Sequence, residues 1–362
     1  MQQSIPSDER PRPRRRRALA AGLAATLLLA ACGGDDDGAG EDATGSGSGS
    51  ESGGAGGAGA SADGAFPVTI EHSLGTTEIE EAPERVVTVG FTDQDTVLAF
   101  GVVPVGTREW YGEQPGSTYP WAQDELGGEV PETVGDGNSV NVEAVAALQP
   151  DLIVAIYEQL DEDVYANLSE IAPTITQSDE YEPYAQPWEE TVRQVGTALG
   201  QPERADELIT GVEDAYAAAR EEHPEFAGLT AAMGQFGDTA GNFYLTYPED
   251  PKASFLSELG FEFPPEIAET VTANEGEEVS YENLDLMDQD VAVWIAGVES
   301  PELVAELRED PLYAQLDVAQ EGRDLFLEEG VDELSWGTVL SIPAALEVVV
   351  PQLADVVAGT DG

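Results

Sequence analysis

Apolar and polar positions begin to alternate at Phe66. Val68-Thr69-Ile70-Glu71-His72 and Thr77-Glu78-Ile79 flank Gly75 with a period of two, which predicts a short β-hairpin. Arg85-Val86-Val87-Thr88-Val89-Gly90 is a compact β-branched run and predicts a strand. Thr92 to Phe100 follows as a helix closed by Gly101, and Val103-Pro104-Val105-Gly106 predicts the next strand. Strand, helix and strand in that order predict a parallel sheet with helices packed over it.

A similar unit recurs further on. Asn141 through Ile156 can be laid over Ser280 through Ile295. Each stretch opens on a cap-type residue (Asn141, Ser280) and places a glutamate in the first turn (Glu143, Glu282). Each then runs through a short helix to an aspartate (Asp151, Asp290) and an apolar strand. The match is loose, and two unrelated βαβ units can give it by chance; two lobes of like architecture is the natural reading. Between them, Pro202 stands where a helix can start, and Glu203 to Glu222 holds no proline and one glycine. A helix of that length spans about 30 Å and acts as a stiff spine between lobes.

The 362-residue length suits two domains or one large two-lobed unit, and 41% hydrophobic residues suffice for a core. One cysteine excludes a disulfide framework and a thiolate cluster. His72 and His223 lie 151 positions apart, a poor basis for a histidine metal site or Ser-His-Asp chemistry. Charge is split along the chain. Residues 1–32 hold six Arg and two acids, whereas residues 33–362 hold eight Lys and Arg against 70 acids. A body so acidic repels nucleic acid and anionic lipid, which excludes nucleic-acid binding.

The basic stretch is an address. Arg10, Arg12 and Arg14 to Arg17 precede Ala18 to Leu29, an apolar run too short to span a hydrocarbon core of ~30 Å. Leu29-Ala30-Ala31-Cys32 follows and resembles the lipobox of bacterial lipoproteins. That resemblance implies cleavage before Cys32 and acylation of it, giving a lipid anchor on the outer face of the cell membrane. An ordinary secretory signal with an incidental cysteine is the alternative. Residues 33–65, almost wholly Gly, Ser, Ala, Asp and Glu, are expected to be a flexible tether. The expected partition is a signal peptide at 1–31, the lipidated cysteine and disordered linker at 32–65, a first lobe at 66–187, the helical spine at 188–222 and a second lobe at 223–362.

Ordered stretches along the folded part carry a second resemblance. They are Pro83-Glu84-Arg85-Val86-Val87 through Asp95 to Gly106, Val142-Glu143 through Gln149-Pro150-Asp151-Leu152-Ile153, Pro311-Leu312-Tyr313, Gly322-Arg323, and Ser341-Ile342-Pro343-Ala344-Ala345-Leu346. In order and spacing they resemble the extracytoplasmic solute-binding proteins of ABC importers for ferric siderophores and cobalamin. The resemblance implies an α/β fold of two Rossmann-like lobes with parallel-rich sheets, joined by a single long spine helix. It implies a ferric siderophore held in the cleft, with no catalytic residue, no metal ligand and no directly bound cofactor. It further implies docking of the loaded protein, as a monomer, on the transmembrane subunits of an ABC permease. In related proteins one exposed glutamate per lobe engages permease arginines, and Glu143 and Glu282 occupy those positions. The simpler account of both is that they complement helix dipoles.

A bulky chelate asks for flat aromatic walls, a few donors and a cation. Arg108, Trp110 and Tyr111, with Tyr119 and Trp121 close behind, follow a predicted strand end, where loops of open α/β sheets face ligand. Tyr157 follows the next strand, and Tyr244, Trp294 and Trp336 fall at comparable places in the second lobe. For any one of these aromatics, a packed core position is the better single reading. Cobalamin or haem would suit the same fold. A secreted α/β hydrolase is disfavoured, because no Gly-x-Ser-x-Gly elbow, P-loop or strand-borne Gly-x-Gly-x-x-Gly is present. A surface adhesin or structural lipoprotein is the third reading.

With Lys252 as its only lysine, the acidic body is similar to proteins kept soluble in concentrated salt, where screening removes self-repulsion. Attraction of a cationic ligand is the competing account of the charge. The melting temperature is therefore expected to rise from dilute buffer to molar NaCl. A flat or falling curve would contradict the self-repulsion argument.

Overall fold

A computed structural model describes residues 66–109, 114–237, 241–248, 250–271, 278–296 and 301–359. The leader, Cys32, the linker, Trp110 and Tyr111 lie outside the described residues. Strands β1 (Val68–His72) and β2 (Gly75–Ile79) pair antiparallel, with Ile70 and Ile79 turned inward. β3 (Val86–Thr88) leads into α1 (Asp93–Ala99), β4 (Gly106–Thr107) and β5 (Glu132–Thr133). A small hairpin of β6 (Gly135–Asp136) and β7 (Ser139–Val140) precedes α2 (Val142–Leu148), β8 (Leu152–Ala155), α3 (Glu162–Ser169), β9 (Thr174–Thr176) and α4 (Trp188–Ala198).

The first sheet is wholly parallel, in the order β5-β4-β3-β8-β9. Both faces of β3 and β8 are covered, which is why their residues form unbroken apolar or β-branched runs. The strand expected over Val103–Gly106 is displaced to Gly106–Thr107. Pro104 has no N–H to give to a ladder, and pairing starts at Val105, which donates to the Val86 carbonyl at 2.8 Å.

α5 (Pro202–Glu222) is the spine, with proline at its start and a buried stripe of Ala205, Ile209, Val212 and Tyr216. Beyond it come β10 (Ala231–Phe236), β11 (Asn242–Leu245), α6 (Pro251–Glu258), α7 (Pro265–Thr270) and β12 (Glu278–Ser280). A 3-10 turn over Tyr281–Met287 leads to β13 (Val291–Ile295), α8 (Pro301–Glu309), α9 (Asp317–Gln320), β14 (Asp324–Leu327), α10 (Val331–Trp336) and α11 (Ser341–Val357). The second sheet runs β12-β11-β10-β13-β14, parallel among β10, β13 and β14, antiparallel at the β11 and β12 edge.

The sequence repeat is repeated in hydrogen bonds. Asp151 accepts from the N–H groups of Glu84 and Arg85, at 2.9 and 2.8 Å, immediately before β3. Asp290 accepts from the N–H of Thr230, at 2.9 Å, immediately before β10. In each lobe, an aspartate at the entrance of one strand thus staples the start of its neighbour. The caps correspond too: Asn141 accepts from the Ala144 N–H at 3.0 Å, and the Ser280 hydroxyl from the Glu282 N–H at 3.3 Å. What differs is the helix between, α-helical in the first lobe and 3-10 with a non-helical Asn283 in the second.

The lobes meet again through the end of the chain. Asp95 on α1 accepts from the Trp121 indole and from the Thr338 hydroxyl of the second lobe, each at 2.7 Å. Leu340 packs beside Leu98, Ala122 and Leu126, and α11 lies against α5. Burial pushes the Asp95 carboxyl up to about 6 against those two hydrogen bonds. The unfolded chain, with this group near 3.8, releases the proton at lower pH than the folded chain does. Stability from this group is therefore lost as pH rises from about 4 to about 6. With molar NaCl screening the general repulsion, the fall in melting temperature between about pH 4 and 7 should be smaller in Asp95→Asn than in the parent. An equal fall in both proteins would remove Asp95 from the account.

Candidate functional site

Loops that leave β3, β4 and β8 start at the C-terminal ends of parallel strands, the edge at which open α/β sheets hold ligands. Asp93, in the first turn of α1, fixes two of them. Its carboxylate accepts from the N–H groups of Gly90 at 3.1 Å and of Ile156 and Tyr157 at 2.9 Å each. Position 90 must be glycine, because a Cβ there would lie 2.2 Å from Asp93 Oδ2. Burial pushes Asp93 up to about 6, opposed by the three N–H bonds.

Aromatic rings line up beside these loops. Tyr157 meets Tyr184 edge-on at 5.3 Å between ring centres, and Tyr184 stacks with Phe91 at 6.4 Å. The Gln94 amide donates to the carbonyls of Phe91 and Ser117, at 3.2 and 3.1 Å, and so joins the α1 entrance to the segment carrying Tyr119. Tyr119 stacks on Trp121 at 4.5 Å and tilts against Trp336 at 5.8 Å. Trp336 belongs to the second lobe, so this second set of rings, Trp121, Tyr119 and Trp336, crosses from one lobe to the other, and Gln94 ties it to the first. In the first set burial pushes the Tyr157 phenol up to about 12, and Asp250 and Tyr247 of the second lobe are near enough to add to that rise.

Arg108 lies against Phe91, and it is not free. Only 2% exposed, it donates from Nε to the Asp136 carbonyl at 2.6 Å and from Nη1 to Glu158 at 2.5 Å, with its guanidinium 4.4 Å from the Phe91 ring centre. Burial pushes the Glu158 carboxyl up, and the Arg108 charge pulls it back. The expectation of an open ligand-facing guanidinium is thus corrected: a cation this buried is held by a counter-ion of its own lobe.

Trp294 is a second correction. It sits inside β13, not at its end, and is fully buried among Phe236, Phe243, Tyr313 and Phe326 in the core of the second lobe. Tyr244 is half-buried on β11, opposite Gln235 on β10 and Glu278 on β12. Of the ligand candidates, Tyr157 stands in the first set of rings, with Arg108 beside its Phe91, and Trp336 in the second; Trp110 and Tyr111 fall outside the described residues. Sequence reasoning missed Phe91, Gln94 and Asp93, although Gly90-Phe91-Thr92-Asp93 follows a strand just as Arg108 and Tyr157 do.

Glu143 and Glu282 are exposed, each in the first turn of its helix, and among the described residues neither meets a cation. His72 is occupied by the hydroxyls of Thr77 and Thr176, at 2.9 and 3.0 Å, and His223 by Glu225 at 3.0 Å. Among the described residues no three His, Cys, Asp or Glu side chains gather as a metal site, and no helix is long and apolar enough to cross a membrane.

Known proteins share this arrangement. The probable siderophore-binding lipoprotein YfiY of Bacillus subtilis is 25% identical over 288 residues, 76% of this chain and 84% of its own. A periplasmic solute binding protein from Mycobacterium smegmatis superposes with a TM-score of 0.71 at 33% identity, covering 80% of this chain and 98% of that one. Streptococcus pneumoniae PiaA in complex with ferrichrome gives a TM-score of 0.69 at 25% identity, over 81% of this chain and 99% of that one. A family model described as periplasmic binding protein matches residues 87–328, from β3 through the spine to the last residues around β14. With both sheets, the spine helix and the internal repeat inside that match, the chain belongs to the periplasmic binding protein family.

Proposed function

We propose that this protein is the extracytoplasmic substrate-binding component of an ABC importer, which captures a ferric siderophore between its lobes and delivers it to a membrane permease. The observation that carries the reading is two sets of rings at these loops, Tyr157, Tyr184 and Phe91 in one and Trp121, Tyr119 and Trp336 in the other, the second shared by two lobes and Gln94 tying the two together. Flat rings give apolar contact to the body of a chelate, and the tyrosines add polar tips. The ligands named for the Bacillus and Streptococcus relatives, a siderophore and ferrichrome, support it. Iron is cargo here, enclosed in its chelate, and no catalytic step is assigned.

The remaining parts fit delivery. Cys32 is assigned as the lipidated residue that holds the protein at the outer face of the membrane. Glu143 and Glu282 are assigned to docking: they are exposed, equivalent in the repeat, and so suited to a partner with two-fold symmetry. A dipole-complementing role alone would contribute only about 0.3–1 kcal/mol each.

Tryptophan-fluorescence titration of the chain with ferric hydroxamates, ferric catecholates, ferric citrate, cobalamin and haem tests the reading, with metal-free chelators as controls. Saturable quenching by a ferric chelate is expected, weakened about tenfold or more in Trp336→Ala and Tyr157→Ala. Silence across the panel from folded protein would count against siderophore capture. Reversing the charge at Glu143 and Glu282 together should abolish permease-dependent uptake while affinity in solution persists. Loss of affinity instead would place those residues in ligand binding.

A further inference from the structure

All eight Lys and Arg residues after residue 32 lie among the described residues, so each can be followed to its partner. Six stand on helix surfaces or at the starts of strands. Arg85 donates to the carbonyls of Leu148 and Gln149; Arg193, Arg204 and Arg220 pair with Glu190, Glu207 and Glu258. Arg308 lies over Phe326, and Arg323 pairs with Glu321 and Asp290. Two remain at the cleft, one from each lobe, and each is matched by a carboxylate. Arg108 is 2.5 Å from Glu158, and Lys252 is 3.0 Å from Asp250, a second-lobe residue whose charge reaches the Tyr157 phenol. In the first pair the carboxylate is the outer partner, with 13% of the Glu158 side chain exposed against 3% for Arg108.

An anionic chelate entering this cleft would find both cations already matched, with a carboxylate in front of the arginine. It would approach a chain whose residues after 32 carry 70 acids against those eight cations. Like charges brought together at an interface are strongly unfavourable, and opening a buried pair strands a charge. A neutral chelate meets neither obstacle. Resting on the siderophore reading above, we propose that the cleft selects a ferric chelate without net negative charge, the class formed when three monoanionic hydroxamates neutralise one ferric ion. Glu158 is the residue that sets this selectivity, by shielding the charge of Arg108.

The test is titration of the full chain with a neutral ferric trihydroxamate, a trianionic ferric tricatecholate and ferric citrate, at one fixed salt concentration. The trihydroxamate is expected to bind roughly 100-fold tighter than either anionic chelate. Glu158→Gln uncovers the arginine charge and should narrow that ratio by about tenfold or more, through a gain for the anionic chelates. Asp250→Asn repeats the test at Lys252 should the first variant fold poorly, and the ratio measured on the parent needs no variant. Equal or tighter binding of an anionic chelate by the parent overturns the charge inference and leaves siderophore capture standing. Binding of no chelate overturns both. An unchanged ratio in folded Glu158→Gln removes Glu158 from the selection.

Discussion

Two carboxylates buried on α1, two residues apart, fix where both halves of the cleft lie. Asp93 gathers the N–H groups of Gly90, Ile156 and Tyr157 and so places the loops after β3 and β8. Asp95 takes the Trp121 indole on its own side and the Thr338 hydroxyl from the other lobe. The first turn of a helix favours negative charge, but here desolvation is the larger effect, and both carboxyls rise to about 6. One short helix, buried along its whole length, thereby refers strand ends, aromatic rings and lobe junction to a single rigid body.

The frame around that helix limits how the lobes can move. α5 spans the gap once, and the chain returns through Thr338 and Leu340 to lay α11 along the spine. Two connections, one of them a continuous 21-residue helix, leave less freedom than a pair of extended strands would. On the proposed function, a ligand meets rings and ion pairs already held in place, with little ordering left to offset.

Much of this was legible in the sequence, and the reason is locality. The hairpin at Val68–Ile79, the β3–α1 unit, the spine beginning at Pro202 and the paired Asn141 and Ser280 caps are each specified by residues within one or two turns of each other. What was missed or misread shares the opposite property. Arg108 is neutralised by a partner 50 residues away, Asp93 reaches Ile156 across 63, and Asp95 reaches Thr338 across 243. Trp294 was misplaced for a smaller reason. Both faces of β13 are covered, so all five of its residues are buried up to the strand end, and a ring one residue before that end is core and not rim.

The aspartate staples have a consequence of another kind. Asp151 and Asp290 lock each lobe at the starts of its strands, at the far end from the loops that carry Phe91, Arg108 and Tyr157. The staples and these loops therefore lie at opposite ends of the strands, and a loop can be exchanged without touching the staples as long as the Asp93 bonds to residues 90, 156 and 157 are kept. On the proposed function, a lineage built on this frame changes its cargo by rewriting the segments beyond those anchor points, and an engineer can graft loops on the same terms.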